Sequence, residues 1–458
     1  MVQAKGIVTA AAGALALGMA GLAGGVGQAA APVPAAQDAA STLAIPYQLE
    51  SERKVLRVLE SAPMRAEIAR VEALYAADPQ GRTAAGKATI RRAAHSIAVA
   101  AAQYAVGEDT DRPGAFWTVN APHDWFGLKV PRSGYGIDNP DNVYRNIMVD
   151  AAARYEIHGR IKQPAPAELH FEMRDAIPGT TEMAAEGGKQ LSTLRSDQIV
   201  TDSEGRFTIT VDNRPANGRT NHLQTPEQGK YLIIVRDLFT DWAVQNPVAL
   251  DVRRVGGPPV APPPGEAALA QRAAELLAQI APFWVQYDNT FIYSREVNTL
   301  RQPRVRPGGR GMSGSGHFAL KPDEAWVITL DPLGAVSLGV QLSDPWGVAD
   351  EYAARTSSLN SRQAKPNADG TYTLVVSQRD PGVYNWLDPE DQPAGMLAIR
   401  WQSLPVGAKP ENAIREVKVV PLAKLKQALP QETAFVTPAQ RESQRAERLA
   451  SYQRRLTQ

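Results

Sequence analysis

The segment Asp380-Pro-Gly-Val-Tyr-Asn-Trp-Leu-Asp388 concentrates residue types that do chemistry. Trp386 offers an aromatic face to the C–H surface of a sugar or of any flat apolar ligand. Asn385, Asp388, Arg400 and Gln402 can add directional hydrogen bonds beside it. Packing accounts for the same residues in another way. Trp386 can plug the end of a β-sandwich while Asn385 braces its own loop. A second cluster, Asp344-Pro-Trp346 with Tyr352 and Arg355, lies in a connection between strands, where binding residues concentrate. A turn plus a core tryptophan explains it equally well. Asp344, Asp380 and Asp388 are the carboxylates that acid–base hydrolysis of a glycosidic bond would draw on. Spacing alone brings no two of them to a working separation.

Other chemistries find less support. The six histidines form no short-spaced pair on one element. His123-Asp124 and the Asp138–Asn142 run are the best oxygen and nitrogen clusters. The run could hold Ca²⁺, but turns stabilised by its own Asx side chains are the stronger reading. No metal and no cofactor is expected. His95 falls on an apolar helical face and reads as a packed histidine. Gly308–Gly316 lacks the Lys-Ser/Thr ending of a phosphate loop. With Arg304, Arg306 and Arg310 it reads as a surface loop or a lid. No nucleophile elbow is present in a credible context. The chain has no cysteine, which excludes disulfides, thiolate catalysis, cysteine-based metal sites and a lipoprotein anchor.

These residues need elements to position them. Residues 1–29 read as a secretory signal: Lys5, the small-apolar run Ile7–Ala23, and Gly27-Gln28-Ala29 for cleavage. A periplasmic or secreted bacterial protein follows, without an integral membrane segment once the signal is removed. Residues 30–44 are an Ala/Pro-rich tether. Residues 45–110 carry apolar residues at helical spacing. Residues 115–255 change to dense turns and short β-type runs. Residues 256–265, with three consecutive prolines, are a linker. The programme then repeats, with a helical segment at 266–300, a second β domain at 320–420 and closing helices at 421–458. The fold class expected is mainly β with helical additions: two related β-sandwich or jelly-roll-like domains, each preceded by helices. The closing helix bears Arg441, Arg445, Arg448, Arg454 and Arg455, read as a solvated basic face interleaved with Glu442 and Glu447. With a net charge of +1, nothing favours a nucleic-acid partner.

The halves resemble each other. Gly205-Arg-Phe-Thr-Ile-Thr-Val aligns with Gly370-Thr-Tyr-Thr-Leu-Val-Val, Asn221-His222-Leu223 with Asn385-Trp386-Leu387, and Gly229 with Gly395, at a nearly constant separation. His222 stands where the second half has Trp386. A further match, Asp150–Gly159 with Asp331–Gly339, needs compensating insertions.

Gln341-Leu-Ser-Asp-Pro-Trp346, Thr356-Ser-Ser-Leu-Asn-Ser-Arg-Gln363, Asp369-Gly-Thr-Tyr372, the Asp380–Asp388 segment and Arg400-Trp-Gln402 together resemble the bacterial domain-of-unknown-function family numbered 1214. Coverage is good over about residues 320–405. Asn139–Arg145 and Tyr155–Gly159 are similar to the upstream part of exported proteins in that group. The resemblance implies a jelly-roll-like domain and no established activity. The sequence therefore predicts binding of a glycan or another small hydroxylated ligand at Asn385, Trp386, Asp388, Arg400, Gln402, Trp346 and Tyr352. The rivals are a carbohydrate-active hydrolase or lyase using the loop carboxylates, and a structural or partner-interaction protein of the envelope, with a homo-oligomer open to either.

Overall fold

A computed structural model describes residues 41–184, 188–305 and 311–457. The signal, most of the tether and residues 306–310 of the arginine–glycine loop lie outside the described residues. Leu43 and Ala44, read above as the end of the tether, are buried against Trp117 and Trp125.

Three helices come first: α1 (Pro46–Leu59), α2 (Ala62–Ala77) and α3 (Ala84–Gly107). Ser61 and Thr83 cap α2 and α3 with their hydroxyls. The first β half follows with β1 (Phe116–Thr118), β2 (His123–Trp125), β3 (Leu128–Val130), β4 (Asn142–Asp150), β5 (Arg154–Arg160), β6 (Glu168–Arg174), β7 (Gln190–Arg195), β8 (Arg206–Asp212), β9 (His222–Gln224), β10 (Lys230–Leu238) and β11 (Ala249–Gly256). After the linker comes α4 (Glu266–Phe291). The second half holds β12 (Thr299–Leu300), β13 (Arg304–Val305), β14 (Met312–Ala319), β15 (Glu324–Leu330), β16 (Ser337–Ser343), β17 (Ser358–Asn360), β18 (Tyr372–Val376), β19 (Trp386–Leu387), β20 (Ala394–Gln402) and β21 (Ile414–Pro421). It therefore starts about twenty residues before the boundary expected at 320. Two helices, α5 (Leu425–Ala428) and α6 (Pro438–Thr457), close the chain.

Each half is a β-sandwich, and the two agree strand for strand. The first pairs a sheet of order β1-β4-β10-β6-β7 with one of order β11-β5-β8-β9. The second pairs β12-β14-β20-β16-β17 with β21-β15-β18-β19. Both contain the same unusual parallel pair, β8 with β9 and β18 with β19. The alignments at Gly205/Gly370, Asn221/Asn385 and Gly229/Gly395 all fall on equivalent strands. The match of Asp150–Gly159 with Asp331–Gly339 does not hold. Tyr155–Gly159 lies in β5, whose counterpart is β15, whereas Ser337 opens β16, the counterpart of β6. Before both β8 and β18 the chain reverses on a glycine with positive φ, 74° at Gly205 and 83° at Gly370, a conformation open to glycine without a Cβ penalty.

Alternation along the strands explains the layers. On β10, Ile233 and Val235 enter the sandwich core, while Leu232 and Ile234 face the helices. The run Tyr231-Leu-Ile-Ile-Val is apolar throughout because both its faces are covered. The helices do not form separate lead-ins. All of α1–α4 share one core with Met148, Leu232, Ile234, Trp346 and Val348. Buried alanines such as Ala93, Ala94, Ala98, Ala101 and Ala273 bring the helix backbones close. This single helical layer reaches the second half through the β16–β17 connection, which carries Trp346.

Candidate functional site

The residues singled out around Trp386 are structural. Trp386 is buried, donates Nε1–H to the Ser377 carbonyl at 3.0 Å, and is capped by two guanidiniums, Arg441 at 5.3 Å and Arg445 at 5.8 Å from its ring centre. No ligand can stack there while α6 is in place. Asn385 braces its loop, accepting from Lys365 N–H at 2.8 Å and donating to the Lys365 and Thr373 carbonyls. Asn221 does the same with both backbone groups of Val200. The asparagine repeats because the loop geometry repeats. Where Trp386 stands in the second half, the buried His222 ring bonds Thr210 and the Arg214 carbonyl.

The other candidates scatter. Trp346 stacks on Tyr75, rings 4.3 Å apart and 3° from parallel, and donates to the Gly86 carbonyl. Tyr352 is buried among Trp242 and Tyr452. Arg400 bonds Gln341 and the Ile137 carbonyl, and Gln402 accepts from Asn139, so both tie the second sandwich to the first half. The three aspartates share no partner. Asp380 pairs with Arg441, Asp388 with Arg355 and Arg445, and Asp344 with Arg92. Asp380 and Asp388 are each held in an ion pair, with Arg441 and with Arg355 and Arg445.

The arginines of α6 do not form a solvated face. Arg441, Arg448 and Arg455 are buried, and with Arg445 and Tyr452 they form the inward stripe of the helix. Arg448 bonds the Tyr352 carbonyl and Ser358, and lies 4.3 Å from the Trp242 ring centre. Arg455 donates to the Pro140 carbonyl and lies over Trp242 and Phe239. Arg454 bonds Gln245 and Asn246 of the first half. The helix straps both sandwiches through cation–π contacts and hydrogen bonds. The Asp138–Asn142 run is an Asx turn, with Asn139 accepting from Asp141 N–H. Among the described residues no acid or histidine cluster has the arrangement of a metal site.

Arg92 on α3 collects what the sequence left scattered. Its guanidinium meets Glu390 at 2.6 Å, Asp344 at 3.2 Å and Asp350 at 3.4 Å. Asp344 also accepts from Trp346 and Val348 N–H. Glu390 accepts from Glu351 N–H. One cation among three carboxylates leaves an excess of negative charge that favours a proton on the cluster. Burial raises Asp350 well above the usual carboxylate range, and the neighbouring Glu390 and Asp344 push it further. Burial also disfavours the Glu390 charge, but Arg92 and the Glu351 N–H outweigh it and hold its pKa low. Asp350 is therefore the acid and Glu390 the carboxylate. Burial opposes the Arg92 charge too, and Asp344 with Glu390 overcomes it, so Arg92 stays protonated.

Above this cluster lies an open groove of about 640 Å³. Glu72, Arg91, Arg92, His95, Ser96 and Arg132 line it, with Ile68 and Ala88 as an apolar ledge. His95 faces this groove and is not packed in the helical core. Burial among its neighbours still pulls its pKa below the ordinary value, leaving a neutral ring at neutral pH. Arg132 donates to the Ala349 carbonyl, and Arg91 stands 4.0 Å from Glu72 with most of its side chain in solvent. Both can turn guanidinium N–H groups to a ligand. Asp138 is pushed up to about 6 by burial, only partly offset by the Ala349 N–H, Arg132 and Arg400. The sequence carried part of this signal. Asp350 lies in the Asp344–Arg355 connection and Glu390 follows Asp388 directly. Arg92 and Arg132 had no local mark.

No family model matches the chain, and no curated protein matches it. The chain is similar in fold to an uncharacterised protein from Burkholderia cenocepacia of known structure, with a TM-score of 0.61 and 24% identity over 83% of this chain and 98% of that one. It also matches the VPA0106 protein from Vibrio parahaemolyticus at a TM-score of 0.40 and 11% identity, over 62% and 90% of the two chains. The first likeness supports the β-rich architecture. No described helix is long and apolar enough to cross a membrane.

Proposed function

We propose that the protein binds a small hydroxylated anion of sugar-acid type in the groove above Arg92. The juxtaposition of Arg91 and Arg132 carries this reading: both line the groove, Arg91 meeting Glu72 only at 4.0 Å with most of its side chain in solvent and Arg132 bonded to the Ala349 carbonyl. A guanidinium fork matches a ligand carboxylate, and the Glu72 carboxylate matches hydroxyl groups. The volume of about 640 Å³ falls within the range of small-molecule sites. No Phe, Tyr or Trp lines the groove, so recognition rests on charge-assisted hydrogen bonds rather than stacking. We place this binding outside the cytoplasm, on the export signal read in residues 1–29.

A thermal-shift screen of glucuronate, galacturonate, neutral sugars and divalent cations tests the class. A ligand at a hundred times its dissociation constant adds about 2.7 kcal/mol to stability. The expected result is a shift with the sugar acids and none with the neutral sugars. A shift confined to neutral sugars or cations overturns the reading.

One observation favours a second reading, a carbohydrate-active hydrolase or lyase. A protonated Asp350 beside an ionised Glu390 is the division of labour that acid–base catalysis uses. Asp350→Asn would then abolish turnover of an acidic oligosaccharide while leaving its binding intact.

A further inference from the structure

The loop that carries Glu390 is held from two directions. Glu390 and Asp391 both have positive φ, 53° and 62°, unusual for residues with a Cβ. Such a conformation persists only where its surroundings impose it. Asp388 does so. Its Oδ1 accepts from the Glu390 N–H at 3.0 Å. The carboxylate is completely buried, gripped by Arg355 through Nε and Nη2 at 2.9 and 2.8 Å, and by Arg445 of α6 at 2.9 Å. A continuous chain of polar contacts thus runs from Arg445 through Asp388 and the Glu390 backbone to the Glu390 carboxylate, and from there to Arg92 at the groove.

We infer that Arg445 is a positioning residue for Glu390, acting through Asp388, so that the seating of the C-terminal helix sets the affinity of the groove. The inference rests on the groove being the binding site. Arg355 alone can neutralise Asp388, so Arg445 is not required to cancel a buried charge. What Arg445 adds is a second bond to Oδ2, which Arg355 Nε already holds, so that α6 helps restrain the carboxylate whose Oδ1 receives the Glu390 N–H. Losing it leaves Asp388 held by Arg355 alone, which loosens its bond to the Glu390 N–H and the positive-φ pair that this bond supports. The Glu390 carboxylate then moves from Arg92, and its low pKa returns toward the ordinary glutamate value.

The full chain and its Arg445→Gln, Arg445→Lys and Arg454→Gln variants provide the test. Arg454→Gln loosens α6 from Gln245 and Asn246 without touching Asp388. Two readouts are needed: the Glu390 carboxyl midpoint by carbon-13 NMR, and the glucuronate dissociation constant by calorimetry. Arg445→Gln should raise the Glu390 midpoint by about one unit. It should tighten glucuronate by about fivefold, because a guanidinium released by Glu390 is free to meet the anion, within the range of ordinary coupling between linked sites. Arg445→Lys should recover most of both, and Arg454→Gln should lower the melting temperature with neither effect. An unchanged Glu390 midpoint in Arg445→Gln overturns the inference, whatever glucuronate does. A raised midpoint in a protein whose parent does not bind glucuronate upholds the positioning role and removes the ligand class proposed above.

Discussion

Arg92 of α3 and Glu390 of the loop after β19 stand 298 residues apart in the chain and meet at 2.6 Å. Their contact joins the helical layer to the second sandwich and places a cation, two carboxylates and a carboxylic acid below one groove. The same guanidinium that supports the fold therefore shapes the site.

Replacing Arg92 separates these roles. Arg92→Gln leaves Asp344 and Glu390 buried without a cation. The expected loss is about 3 kcal/mol, the low end for a broken buried pair because Arg92 is partly exposed. Urea unfolding measures it, and a loss below about 1 kcal/mol would mean that the carboxylates simply take up protons.

Asp138 makes stability depend on pH in a definite direction. Burial pushes its pKa up to about 6, only partly offset by the Ala349 N–H and by Arg132 and Arg400. A carboxyl raised on folding holds its proton in the folded state after the unfolded chain has lost it. Its stabilising contribution is complete below about pH 4 and is lost as the pH rises to about 6. Asp138→Asn removes this titration. The stability of the parent relative to the variant should fall by about 3 kcal/mol between about pH 4 and pH 7. A flat difference would contradict the assignment.

The paired asparagines are equivalent braces. Asn221→Ala and Asn385→Ala each leave both backbone groups of the facing loop, at Val200 and Lys365, without partners. Each should cost about 1–3 kcal/mol. The double variant should show the sum, since the two loops belong to separate sandwiches. Strong coupling would show that the two loops communicate.

Trp386 should matter to the fold and not to the ligand. Trp386→Phe keeps a ring beneath Arg441 and Arg445 but loses the bond to the Ser377 carbonyl. Thermal unfolding should register about 1–2 kcal/mol of destabilisation. Glucuronate affinity should be unchanged, and a tenfold loss would return the site to the Trp386 end.

The strands and the repeat were legible because period-two alternation and turn chemistry are local properties. Gly205 and Gly370 mark their reversals by themselves, and Asn221 and Asn385 mark their loops. The buried stripe of α6 was misread because arginine usually signals solvent. Arg441, Arg445, Arg448, Tyr452 and Arg455 nevertheless recur at the four–three spacing of an inward helix face, and the aromatic rings that receive them lie far away in sequence. The aromatic loop drew attention to Trp386, whereas the carboxylate that meets Arg92 is Glu390, four positions later. Arg92 was invisible because its role exists only once α3 lies against the β16–β17 connection.

The central claim, that the groove is the binding site, is tested most directly by titrating glucuronate calorimetrically into the parent and into an Arg91→Gln/His95→Gln double variant. Both side chains face the groove and neither supports the core, so the melting temperature should not change. The expected result is binding by the parent and at least about a tenfold weaker constant in the variant, the worth of one charge-assisted hydrogen bond. Equal affinity in the two proteins, or no binding by a folded parent, would contradict it.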